Sequence, residues 1–137
     1  MRFLVVGDSP DFEADKVSEL AGIGDCLIAL DGAALKLPPS TVPDIICGDF
    51  DSLDLAAAQQ QFPQAEFLRL EDQYENDLEK ALKVALSRGG GEILLCCIFG
   101  GMPDQHAANM SVMVRYHRAA SLRAFHRGME CQIASPD

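Results

Sequence analysis

Short apolar runs of strand length alternate along this chain with segments of helical period, and that alternation restricts the fold more than any single residue does. Strands are expected near Arg2–Val6, Cys26–Leu30, Asp44–Cys47, Glu66–Leu70 and Glu92–Ile98, with a sixth at Met129–Ala134. From Asp77 to Arg88, residues Leu78, Ala81, Leu82, Ala85 and Leu86 fall at the spacing of an amphipathic helix, which Gly89-Gly90-Gly91 then ends. A second helix is expected to open at Pro103, a good first-turn residue, and to turn Ala107, Met110, Met113 and Val114 inward. Strands apolar throughout, separated by helices, make a mostly parallel sheet covered on both faces. At 137 residues and 48% hydrophobic content the chain can bury the core of one domain, spanning 1–137.

In a parallel sheet every loop that follows a strand emerges at the same edge, which is where ligands of open α/β sheets bind. Each such loop here brings an aspartate: Asp8, Asp31, the pair Asp49 and Asp51, then Asp72 and Asp77, then Asp104. A single aspartate after a strand is explained equally well as the cap of the next helix. The stretch PDIICGDFDSLD is not, because it sets two carboxylates around one phenylalanine. On an extended backbone Asp49 and Asp51 would point the same way, and their charges would repel unless a cation lay between them. Magnesium suits such a place, since it takes one or two carboxylates together with phosphate oxygens and water. Asp77, one loop later, would be a third carboxylate for a metal-bound phosphate chain.

Charge narrows the partners. With 21 acidic against 11 basic residues and a net charge of -10, the chain lacks the cationic surface of a nucleic-acid binder. A polyphosphate would have to arrive with its own cation. The five cysteines are odd in number and lack a Cys-x-x-Cys, which argues against a disulfide framework or a zinc site and fits a reduced, cytoplasmic compartment. The opening MRFLVVGDSP offers too short an apolar run for a secretion signal, and no run approaches membrane-spanning length.

Other features read as structural. Cys96-Cys97 lies in a strand expected to be buried and is assigned to core packing rather than redox chemistry. The basic run RYHRAASLRAFHRG, with Arg115, Arg118, Arg123 and Arg127, reads as a solvated helix face, and His117 and His126 as surface residues. Gly100-Gly101 follows a strand and could cradle a phosphate on backbone N–H groups.

Taken in order, DGAAL, PDIICGDFDSL, DQYENDLEKAL and FGGMPDQHAAN resemble the catalytic domain of thiamine pyrophosphokinase (thiamine diphosphokinase). The resemblance runs from Arg2 to Ala134 and is concentrated in residues 31–53, 72–82 and 100–109. It implies an α/β fold, a Rossmann-like three-layer domain with a mostly parallel central sheet. It also implies transfer of pyrophosphate from ATP to the hydroxyl of thiamine, giving thiamine diphosphate and AMP with magnesium (Mg2+). By the same resemblance Asp49, Asp51 and Asp77 would hold the metal and, with Asp104, form the catalytic set. Gln73 and Asp104 would lie near thiamine, Asp31 would line the same cleft, and Ser52, Gly100, Gly101 and Asn109 match positions of the family's substrate site. ATP and thiamine are the expected partners, with neither nucleic acid nor membrane. The family's β-rich thiamine-binding domain lies outside residues 1–137, so a homodimer or a partner supplying that domain is implied. Three positions depart from the pattern: Met102 stands where the family has Arg, Gln105 where it has His, and Asn76 where it has Thr. Methionine cannot replace the charge and paired hydrogen bonds of arginine beside a phosphate. Two other readings therefore stay open: a related pyrophosphokinase for another alcohol such as a hydroxymethylpterin, and a nucleotide-sensing or partner-binding domain with weakened catalysis.

Overall fold

In β1 (Arg2–Val6), Phe3 and Val5 face one way and Leu4 and Val6 the other, and all four are buried. A strand with apolar residues on both faces must be covered on both, and this alternation splits the core into two clusters. A computed structural model describes residues 1–51, 53–70 and 76–133. Its other strands are β2 (Cys26–Leu30), β3 (Ile45–Gly48), β4 (Glu66–Arg69), β5 (Glu92–Cys96), β6 (Ser121–His126) and β7 (Met129–Cys131). They form one sheet in the order β4-β3-β2-β1-β5-β6-β7. All neighbours are parallel except β6 and β7, which form an antiparallel pair at one edge.

The connections explain the two clusters. The chain builds outward from β1 to β4, then returns to lay β5 against the other side of β1. The helices α1 (Ala14–Ala21) and α2 (Leu55–Gln61), with a 3-10 helix at Asp31–Lys36, cover one face through Val17, Leu20, Ala33 and Ala58. The other face is covered by α3 (Asp77–Ser87) and α4 (Pro103–Tyr116), through Leu78, Leu82, Val112 and Met113. Strand order therefore reverses between β1 and β5. Among the described residues no helix is long and apolar enough to cross a membrane.

The α/β class and the parallel sheet are as expected, but four local readings change. The basic run is not one helix face. Arg115 lies in α4, while Arg123 lies in β6, whose Leu122, Ala124 and Phe125 are buried. That strand tolerates Arg123 because Glu92 and Glu130, from neighbouring strands, pair with it. His126 is half-buried rather than on the surface, its ring 5.9 Å from Phe99. In α4 the inward residues are Asn109, Val112 and Met113, whereas Ala107 and Val114 face outward. The helix is rotated because Asn109, not an apolar neighbour, is fixed to the Ile98 carbonyl just past β5. Finally, β5 stops at Cys96, because Cys97 takes a left-handed φ of 61.

Candidate active site

The exits of β1 and β5 meet at the point where strand order reverses, the usual ligand position in an open α/β sheet. Gly7 permits that approach, since a Cβ there would stand 2.5 Å from the Cys97 carbonyl oxygen. Backbone hydrogen bonds join the two exits, from Gly7 N to Cys96 O at 2.8 Å and from Ser9 N to Cys97 O at 3.1 Å. The Ser9 hydroxyl donates to the Phe99 carbonyl. Beyond them the β6–β7 turn holds the same loop: Arg127 Nη2 lies 2.6 Å from Asp11 Oδ2, and Arg127 N donates to Glu13 Oε1 at 2.9 Å. Above these exits is a cavity of about 460 Å3 whose wall includes Asp8, Asp49, Asp77, Lys80, Gln105 and Asn109.

Asp49 and Asp51 do not extend β3. Phe50 has a φ of 66, a left-handed conformation uncommon for a bulky residue, and the chain turns there. Asp51 N donates to Asp49 Oδ1 at 3.0 Å, so the two carboxylates lie around a turn instead of side by side on an extended strand. The expected parallel alignment is thus corrected. Phe50 is held in place by Phe67, at 6.3 Å between ring centres, and by the Arg69 guanidinium, 5.5 Å from its ring. The hydrogen bond from Asp51 N, joined by one involving the buried Asp31, keeps the Asp49 carboxyl below the usual carboxylate range.

At the start of α3, Asn76 accepts a hydrogen bond from Glu79 N at 2.9 Å, which caps the helix and places Asp77 in its first turn. Burial raises the Asp77 carboxyl above its ordinary value; Lys80 opposes the rise, while Asp49, Asp51 and Asp8 add to it. Lys80 is only 6% exposed, donates to Leu70 O at 2.8 Å and lies 3.8 Å from Asp77 Oδ1. Asp8, at the mouth, pairs with Lys36 at 2.5 Å. Asn109 is buried, and its Nδ2 donates to Ile98 O at 2.6 Å. Among the described residues no three histidine, cysteine or carboxylate side chains are grouped so as to hold a metal ion as they stand. The aspartates sense one another through charge.

A family model described as "Thiamin pyrophosphokinase, catalytic domain" matches residues 18–125, well over half of the chain. The chain belongs to the thiamin pyrophosphokinase catalytic-domain family. No curated protein matches it significantly in sequence. Three thiamin pyrophosphokinase structures show the same fold. That from Geobacillus thermodenitrificans is 24% identical with a TM-score of 0.74, covering 93% of this chain and 60% of its own. That from Bacillus subtilis is 21% identical with a TM-score of 0.76, covering 93% and 61%. The yeast enzyme is 15% identical with a TM-score of 0.73, covering 90% and 58%. This chain therefore spans about 60% of the length of these pyrophosphokinases.

Against the thiamin pyrophosphokinase pattern, the fold brings Asp49, Asp77, Gly101 and Asn109 to one cavity. Asp51 is exposed beside it, and Asp31 is buried behind Gly48, whose Cβ position would lie 3.3 Å from that of Asp31. Asp104 is exposed in the first turn of α4, and Gly100 packs against Asp11; neither contributes to the cavity wall. Ser52, Asp72 and Gln73 lie outside the described residues. Of the departures from the pattern, Asn76 still serves as a helix cap, Gln105 lines the cavity, and Met102 is 71% exposed. Lys80 and Lys36 were not singled out from sequence. The signal for Lys80 was its i, i+3 relation to Asp77, which sets both on one helix face.

Proposed function

We propose that this cavity binds Mg-ATP and thiamine and that the domain transfers the pyrophosphoryl group of ATP to the thiamine hydroxyl, giving thiamine diphosphate and AMP. One observation carries the reading: in a domain of this family, Asp49 and Asp77, from separate loops, share the wall of the cavity with the buried cation Lys80. The donor set fits a hard divalent ion, being entirely carboxylate oxygen, and the charge that Asp49, Asp51 and Asp8 impose on Asp77 is what such an ion would relieve. Asp49, Asp51 and Asp77 would hold magnesium, which when bound supplies charge neutralisation to the phosphate oxygens.

The protein's own groups do the rest. Asp49 stays ionised because its hydrogen bonds favour the charged form. Lys80 is fixed at the wall by the Leu70 carbonyl and by Asp77, without a flexible stem in solvent. Gly101 presents backbone without a side chain, and Gln105 and Asn109 present amides. By the family pattern Ser52 and Gln73 would add substrate contacts, while Asp31, Gly100 and Asp104, which are not in the cavity wall, would act on the substrates only from behind or beside it. A domain in the cytoplasm, acting as a homodimer or with a partner that supplies the β-rich half of the site, fits this reading. The exposed Met102, where the family has arginine, favours a second reading in which nucleotide is bound but catalysis is weak.

AMP release measured with ATP and magnesium, with and without thiamine, separates the two. Thiamine-dependent AMP supports transfer, and Mg-ATP binding without it supports the weakened domain. Asp49→Asn should lower Mg-ATP affinity by about a hundredfold in calorimetry, on the scale of one charged contact to a phosphate. Unchanged affinity in Asp49→Asn and Asp77→Asn would sink the site assignment.

A further inference from the structure

Consecutive residues of a strand place their side chains on opposite faces of the sheet. Cys96 and Cys97 do not. Because Cys97 leaves β5 with a φ of 61, both side chains join the cluster under α1 and α2, and their sulfurs lie 3.7 Å apart. Cys97 is also among the residues of the cavity wall, although it is only 1% exposed. Its sulfur accepts a hydrogen bond from Glu13 N at 3.4 Å, a contact that favours thiolate. In the contact between the two sulfurs either thiol can donate, and the contact lowers the Cys97 pKa while it raises that of Cys96. Burial pushes Cys26 up to about 11 and Cys47 up to about 12, which makes both poorer nucleophiles.

We propose that Cys96 and Cys97 are a redox-active dithiol, oxidised by a hydroperoxide to a disulfide between neighbours that loosens the exit of β1 from the exit of β5. The Cys97 thiolate attacks the peroxide oxygen, cleaving the O–O bond, and forms a sulfenic acid as water or alcohol leaves. Cys96 then attacks the Cys97 sulfur, the S–S bond forms, and the sulfenic oxygen departs as water with the remaining protons. The two thiols lose two electrons and the peroxide gains them. Ring closure draws the sulfurs from 3.7 Å to about 2.05 Å and must turn the peptide between them. The carbonyl oxygens of that segment accept from Gly7 N and Ser9 N, so the turn is transmitted directly to the loop at the cavity.

The test needs no substrate. Stoichiometric hydrogen peroxide should remove two hydrogens from the intact protein, fragmentation should place the bond between residues 96 and 97, and dithiothreitol should reverse it. Amide exchange at Gly7 and Ser9 should then be about tenfold faster in the oxidised protein, the scale of one lost backbone hydrogen bond. Cys96→Ala and Cys97→Gly, the latter suited to the left-handed backbone, should each lose the two-hydrogen step, while Cys26→Ala and Cys131→Ala keep it. Oxygen addition without a disulfide, a bond to another cysteine, or unchanged exchange at Gly7 and Ser9 in the oxidised protein would each overturn the proposal.

Discussion

Asn76 Nδ2 donates to Asn109 Oδ1 at 3.0 Å, tying the cap of α3 to the buried face of α4. Through Asn109 the tie continues to the Ile98 carbonyl, so two helices and the exit of β5 are fixed by one amide. Asn109→Ala leaves a buried carbonyl and an amide without partners and should destabilise the fold by about 1–3 kcal/mol. Urea unfolding checks it. Asn76→Ala, which removes the cap as well, should cost about 1 kcal/mol from that loss alone, whereas Asn76→Thr keeps a capping oxygen.

Burial holds the Asp77 carboxyl above its ordinary value, so at intermediate pH the folded chain keeps a proton there that the unfolded chain has released. Stability then falls as pH rises through the interval between the unfolded and the raised native value. Asp77→Asn carries no charge at any pH. Without metal it should melt above the parent at neutral pH, and the difference should shrink as pH drops through that interval. Thermal melts across a pH series decide; an offset independent of pH would assign the effect elsewhere.

Gly7→Ala would force a methyl group onto the Cys97 carbonyl oxygen, a backbone atom that cannot swing away. The expected loss is about 1–3 kcal/mol, typical of overpacking. Denaturant unfolding measures it, and a parent-like midpoint would mean that the two strand exits can part.

Met102→Arg with Gln105→His returns the family's cation and imidazole to the start of α4. If transfer is only weakened, thiamine-dependent AMP release should rise on the order of a hundredfold, the worth of one charged contact to a transferring phosphate. The pair is best made together, because neighbouring site residues are not additive. No gain, with a thiamine-binding domain supplied in trans, would favour the nucleotide-binding reading.

The sheet was legible because β1, β2, β3 and β5 are apolar on both faces, a pattern that needs no partner to be recognised. The expected strand Glu66–Leu70 likewise appears as β4, one residue shorter. β6 was hidden: Arg123 alternates with Leu122 and Ala124, and its charge is tolerable only beside Glu92, distant in sequence, and Glu130, brought back by the β6–β7 turn. The inward face of α4 was misjudged because apolar spacing was weighed without Asn109, whose hydrogen bonds to Asn76 and to the Ile98 carbonyl, both outside the helix, hold it inward. That Asp8, Asp49 and Asp77 would meet at one sheet edge was legible, but not the arrangement around Asp49, since a left-handed Phe50 cannot be read from residue type. Lys80 was missed for the opposite reason: a charged residue on an amphipathic helix is normally given to solvent.

The tie between Arg127 and Asp11 sits on the surface, with the two side chains 67% and 39% exposed. Dissolved ions weaken such pairs, whereas the packed strands beneath hardly respond to them. Ionic strength thus acts unevenly on this domain: concentrated salt weakens one of the two ties between the loop of Asp11 and the β6–β7 turn, leaving the hydrogen bond from Arg127 N to Glu13, while the sheet below keeps its shape.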